Sequence, residues 1–73
     1  MTDKRYRADI EAFGKRLRDL REQKEMSQLD LEVESGINRT EISRIETGKK
    51  NIELITLFKL AGALKVSPAE FFQ

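Results

Sequence analysis

From Asp9 onward, apolar residues fall at Ile10, Phe13, Leu17 and Leu20, with Lys24 next on the same stripe. This spacing draws one apolar face along a helix and predicts a first helix from Asp9 to near Glu25. Ser27-Gln28-Leu29-Asp30 reads as an N-cap with an acid at the third helical position, and the segment runs on to Gly36, the residue type best suited to a left-handed C-terminal cap. A short second helix over 28–35 follows from these signals. Asn38 is another capping type, and the segment after it reaches a second cap-like glycine at Gly48, so a third helix is expected over 39–47. Lys49-Lys50-Asn51 interrupts the pattern as a polar loop. Helical spacing returns between Glu53 and Lys65, with Leu54, Leu57, Ala61 and Leu64 on one side. Ser67-Pro68-Ala69-Glu70 has the form of a capping box with proline at the first helical position, which predicts a fifth helix of little more than one turn carrying Phe71 and Phe72. No segment alternates in the manner of a strand.

The pattern therefore predicts an all-α fold of five helices. Two short helices separated by Gly36-Ile37-Asn38 have the dimensions of a helix-turn-helix, in which the second helix does the reading. Residues 1–8 (MTDKRYRA) show no continuing apolar period and read as a flexible arm before a single domain over 9–73. The arm is basic at Lys4, Arg5 and Arg7. It is either a solvated tail or an arm that touches phosphates or the minor groove.

Composition narrows the chemistry. A domain of 73 residues buries only about 60% of the surface its unfolded chain exposes, and small scaffolds usually add a disulfide, a metal or a partner subunit. With no Cys and no His the first two routes are largely closed, and a partner subunit stays open. The same absences remove the usual general base, the thiolate nucleophile, the Ser-His-Asp triad and every Cys/His zinc pattern. No catalytic residues, cofactor or metal are expected. No stretch approaches the roughly 18 consecutive apolar residues of a membrane span, and the first residues lack a signal peptide's apolar region. The expectation is a cytoplasmic protein, nucleoid-associated when bound to DNA, with no membrane partner and no evident small-molecule ligand. Fourteen Lys and Arg against thirteen Asp and Glu leave a net charge of +1, so the distribution of the basic groups matters more than their number.

On the third helix, Ile42, Ile45 and Glu46 share one arc, while Thr40, Ser43, Arg44 and Thr47 share the opposite arc. Arg39 lies at the rim of the second arc. Arg can bond two acceptors of guanine, and Thr offers a hydroxyl or a methyl to base edges, so Arg39, Thr40, Ser43 and Arg44 are the candidate base contacts with double-stranded DNA. Asn38, Thr47, Lys49 and Lys50 would flank the duplex backbone. The plainer explanation is that any amphipathic bundle helix has a polar outer face and that two lysines make a solvated loop. Glu46 lies on the buried arc, where an unpaired carboxylate is costly. Arg21, beside Leu20 and four residues after Leu17, is the cation placed to meet it, so an Arg21–Glu46 ion pair is expected between the first and third helices.

Ser27-Gln28, Leu31, Gly36, Ile42-Ser43-Arg44-Ile45-Glu46, Gly48 and the series Leu57, Leu60-Ala61, Leu64, Val66 closely resemble the lambda repressor and Cro-like (xenobiotic-response-element type) helix-turn-helix family, over about Phe13 to Phe72. The resemblance implies a five-helix domain that binds operator DNA, usually as a dimer. It implies that Gln28 contacts a phosphate or supports the reader, that Arg39, Thr40 and Arg44 face bases, and that Arg21 and Glu46 are the structural pair. The small one-domain form also looks like restriction-modification controller proteins and small phage repressors. Glu32 departs from the pattern, standing where the family usually has a small Ala, so either the second and third helices sit slightly apart or Glu32 turns outward. Leu29 and Val33 make part of the second helix's outer face apolar.

Ile55, Phe58 and Gly62 lie on a strip rotated from the core side of the fourth helix. With Phe71 and Phe72 they form a candidate patch for a two-fold homodimer, which would space two readers about 34 Å apart on a palindromic operator. Alternatively Phe58 and one of the two C-terminal Phe residues complete the core. The reading is a sequence-specific transcriptional regulator, and its rival is an antitoxin-like interaction module of the same fold that binds DNA weakly or only in complex.

Overall fold

Arg7-Ala8-Asp9 contains no helix breaker, and Asp9 places a negative charge near the positive end of the helix that follows. In the computed structural model, which describes residues 4–73, α1 (Arg7–Gln23) accordingly begins two residues before the expected start at Asp9, directly after a 3-10 turn at Lys4–Tyr6. The part of the expected arm that falls within these residues, 4–8, is thus helical, and residues 1–3 lie outside them. At its other end α1 closes with Glu25 in the left-handed region (φ 56°). The Glu25 N–H bonds the Glu22 carbonyl at 2.9 Å and the Met26 N–H bonds the Arg21 carbonyl at 3.1 Å, the paired reversal that usually employs Gly. Lys24 therefore caps α1 and is exposed.

α2 (Gln28–Ser35) and α3 (Arg39–Glu46) keep the expected starts because their caps are local. The Ser27 hydroxyl accepts from the Asp30 N–H at 3.0 Å while the Asp30 carboxylate accepts from the Ser27 N–H at 2.9 Å. Gly36 takes φ 77° to end α2, Ile37 turns inward, and Asn38 Oδ1 accepts from the Thr40 N–H at 2.7 Å. α3 ends at Glu46 with Thr47 as its C-cap. α4 (Leu54–Leu64) lies between caps at Glu53 and Lys65.

The expected fifth helix is a correction: among the described residues there are four α-helices, and Pro68–Phe72 is a 3-10 segment. Its capping box forms, with both Ser67–Glu70 and Ser67–Ala69 bonds at 3.3 Å. Five residues are too few to establish an i→i−4 ladder, and a short piece settles into the tighter i→i−3 turn. Tertiary contacts then pin it, since Arg16 Nε donates to the Glu70 carbonyl at 2.7 Å and Phe71 stacks on Phe13 at 5.1 Å between centroids.

α1 packs on α3 and on the C-terminal turn, while α2 packs on α3 and α4. The core between them is built from Leu17, Leu20, Leu31, Ile42, Ile45, Leu60 and Leu64, each essentially out of contact with water. A radius of gyration of 11.2 Å is that of a closely folded chain of this length. Gly14, buried in the middle of α1, is needed for the approach of α3, because a Cβ there would collide with the Ile45 carbonyl oxygen.

Candidate nucleic-acid interface

Burial of Ile42 and Ile45 fixes which side of α3 faces water. Arg39, Thr40, Arg44 and Thr47 are exposed and Ser43 is half-buried, so the outer face is polar along its length. Gly14 sets how closely α3 lies on α1, and a buried polar cluster sets its rotation. Arg21 Nε donates to Glu46 Oε2 at 2.7 Å and Arg21 Nη2 donates to Glu46 Oε1 at 3.0 Å, a two-point pair with side-chain exposures of only 10% and 4%. Arg21 Nη1 also donates to the Met26 carbonyl at 2.8 Å, and Gln28 Nε2 donates to Glu46 Oε1 at 3.1 Å. No buried side-chain polar atom among the described residues lacks a partner, the condition under which such a cluster stabilises rather than costs. The hydrogen bonds that Arg21 donates to Glu46 hold its guanidinium above its usual pKa, outweighing the opposing effect of burial.

Several of the expected backbone contacts also have partners within the protein. Of the two roles implied for Gln28, its amide in this structure serves the second, bracing the reader through Glu46. The Asn38 side chain caps α3, the Thr47 hydroxyl donates back to the Ser43 carbonyl at 2.9 Å, and Lys50 Nζ lies 3.6 Å from Glu41. Lys49 is exposed and in no ion pair among the described residues. Glu32 is partly turned out and lies 3.8 Å from Arg39 Nε.

A helix-turn-helix family profile matches residues 17–71, which takes in all of α2, α3 and α4. The chain belongs to the helix-turn-helix family. Its fold is similar to that of the restriction-modification controller protein C.AhdI from Aeromonas hydrophila, with a TM-score of 0.87 and 43% identity over 89% of this chain and 98% of that one. Control protein C.MunI from Mycoplasma sp is 36% identical over 61 residues, covering 82% of each chain. The HTH-type transcriptional repressor RghR of Bacillus subtilis (strain 168) is 43% identical over 58 residues, which are 78% of this chain and 43% of RghR. The chain thus spans less than half the length of that relative.

Away from the reader, this helix-turn-helix protein carries an apolar surface on α4. Ile55 and Phe58 are exposed at 56% and 49%, and Gly62 is open on the same strip. Leu54, 65% exposed, belongs to that surface too, although its spacing had placed it with the core. It sits at the start of α4 and lines a surface groove of about 350 Å³ together with Ile10 and Phe13 of α1 and Phe72. Phe71 is a correction to the expected patch. The tight C-terminal turn directs Phe71 into the core, leaving it 2% exposed, while Phe72 stays 69% exposed beside Phe13. The neighbouring positions are separated by the turn, and no signal in the sequence distinguishes them.

No helix among the described residues is long and apolar enough to cross a membrane, and no cluster of acidic side chains there is arranged to hold a metal ion.

Proposed function

We propose that this protein is a sequence-specific double-stranded DNA-binding transcriptional regulator that reads the major groove with α3 and acts in the cytoplasm as a homodimer on a palindromic operator. The observation that carries the reading is the mounting of α3. One face is locked by Ile42, Ile45 and the Arg21–Glu46–Gln28 cluster, and the other offers Arg39, Thr40, Ser43 and Arg44 to base edges. Lys49 and Lys50 follow directly, where a cation meets the backbone. Membership of the helix-turn-helix family and likeness to repressors and controller proteins support regulation over catalysis, and over the interaction-module alternative. The exposed strip of Leu54, Ile55, Phe58 and Gly62 supports the homodimer, because two copies sharing such a surface remove it from water.

The test is selection of random duplex DNA on the purified protein, with the selected sites titrated at two salt concentrations. The expected result is a palindromic site with half-sites about one helical turn, near 34 Å, apart. Binding with no sequence enriched over competitor would overturn the reading.

A further inference from the structure

Glu32 and Arg39 face each other across the turn between α2 and α3, with Glu32 Oε1 at 3.8 Å from Arg39 Nε and side-chain exposures of 32% and 61%. Each charge is at the less favourable end of its own helix. Glu32 lies in the last turn of α2, where the helix dipole disfavours an anion, and Arg39 opens α3, where it disfavours a cation. Neither gains from its helix, so the contact between them is what each charge has locally. The approach is made by the ε nitrogen. That leaves the paired η nitrogens of Arg39 as the two-donor fork that guanine O6 and N7 accept.

We propose that Glu32 is a positioning residue for base reading: it holds Arg39 by its ε nitrogen and so aims the guanidinium fork at one base pair. The inference rests on the proposed reading of DNA by α3. A flexible cation free to swing would find a phosphate almost anywhere, whereas one restrained at Nε meets an acceptor pair in one place. A carboxylate beside the duplex lowers affinity for every sequence alike, so the gain from Glu32 is in selectivity. Arg44 is the internal comparison, because it is on the same face and in no ion pair among the described residues.

The experiment titrates the selected site and its single base-pair variants with the wild type, Glu32→Ala, Glu32→Gln, Arg39→Ala and the double variant, with thermal melts to verify folding. Arg39→Ala identifies the base pair that Arg39 reads. Glu32→Ala is expected to lose about fivefold or more of the discrimination at that pair, to leave the pair read by Arg44 unchanged, and to bind random duplex as well as the wild type or better. Glu32→Gln keeps the side-chain length but not the charge that draws Arg39 Nε across 3.8 Å, and is expected to lose discrimination as Glu32→Ala does. The double variant discriminates no worse than Arg39→Ala alone. A parallel loss at every base pair, or full additivity of the two substitutions, would overturn the proposal while leaving α3 as the reader. If the wild type itself shows no preferred sequence, the reading of bases by α3 falls, and the role of Glu32 falls with it.

Discussion

α3 and α4 each bury one apolar arc, yet they present opposite surfaces on the other side. α3 buries Ile42 and Ile45 and shows Arg39, Thr40 and Arg44 to water, while α4 buries Leu57, Leu60, Ala61 and Leu64 and shows Leu54, Ile55 and Phe58. A polar face is already satisfied by water and gains by exchanging it for equally polar groups of matching geometry, which is how base edges are recognised. An apolar face gains from any cover, at about 25 cal/mol per Å² removed from water. The difference separates the two proposed jobs: under the proposed function, selectivity belongs to the polar face of α3 and association to the apolar face of α4. It also explains why the reader needs a mount. A face that recognises by geometry has to be held at one angle, and the Arg21–Glu46–Gln28 cluster provides this.

The largest effect should come from breaking that mount. Glu46→Ala leaves the Arg21 guanidinium buried without its partner and is expected to destabilise the fold by about 3 to 5 kcal/mol in denaturant unfolding. A loss below about 1 kcal/mol would show that the cluster holds nothing that a solvated surface pair would not. Next in size is the association surface. Phe58→Asp puts a charge into the proposed dimer contact and should weaken dimerisation by about 2 kcal/mol or more in sedimentation equilibrium, with the monomer's melting temperature little changed because Phe58 is half-exposed in it. An unaltered mass distribution would move the interface off α4. Arg44→Ala should cost about 1 to 3 kcal/mol on the selected site and relax preference at one base pair, whereas Lys49→Ala should weaken selected and random duplexes by the same factor. Uniform losses from both would reduce α3 to a backbone binder.

The smallest effect concerns the start of α2. The Ser27 N–H bonded to the Asp30 carboxylate, with the Ser27 hydroxyl on the Asp30 N–H, holds that carboxyl below the usual carboxylate range. A folded-state pKa below the unfolded one stabilises at pH values above the unfolded value of about 3.9, and the contribution disappears as pH falls through the folded value. Asp30→Asn should therefore flatten the acid limb of the melting temperature against pH while changing the neutral value slightly. An unchanged acid limb would show that the capping box contributes no charge-dependent stability.

The helix boundaries were legible because their causes lie within a few residues. Ser27 with Asp30, Gly36, and Asn38 with Thr40 close their bonds locally, so α2 and α3 stand where the pattern puts them. The Arg21–Glu46 contact was legible for a different reason: a carboxylate on a buried arc demands a cation, and few cations share an apolar arc with which to meet it. What stayed hidden depends on distances between elements. Gly14 reads as a weak point in α1 until the Ile45 carbonyl is seen against it. Glu32 offered two directions, and only the placement of α3 brought Arg39 to its side. Phe71 and Phe72 are adjacent and chemically identical, and the choice between core and surface fell to a 3-10 turn pinned by Arg16 and Phe13. Periodicity and capping chemistry act along the chain, so the sequence by itself determined α2, α3 and α4 and the buried side of α3, but not the start of α1 or the 3-10 form of the C-terminal turn. Close approach, turn pitch and the pairing of exposed charges act across the chain, and those only the packed structure decided.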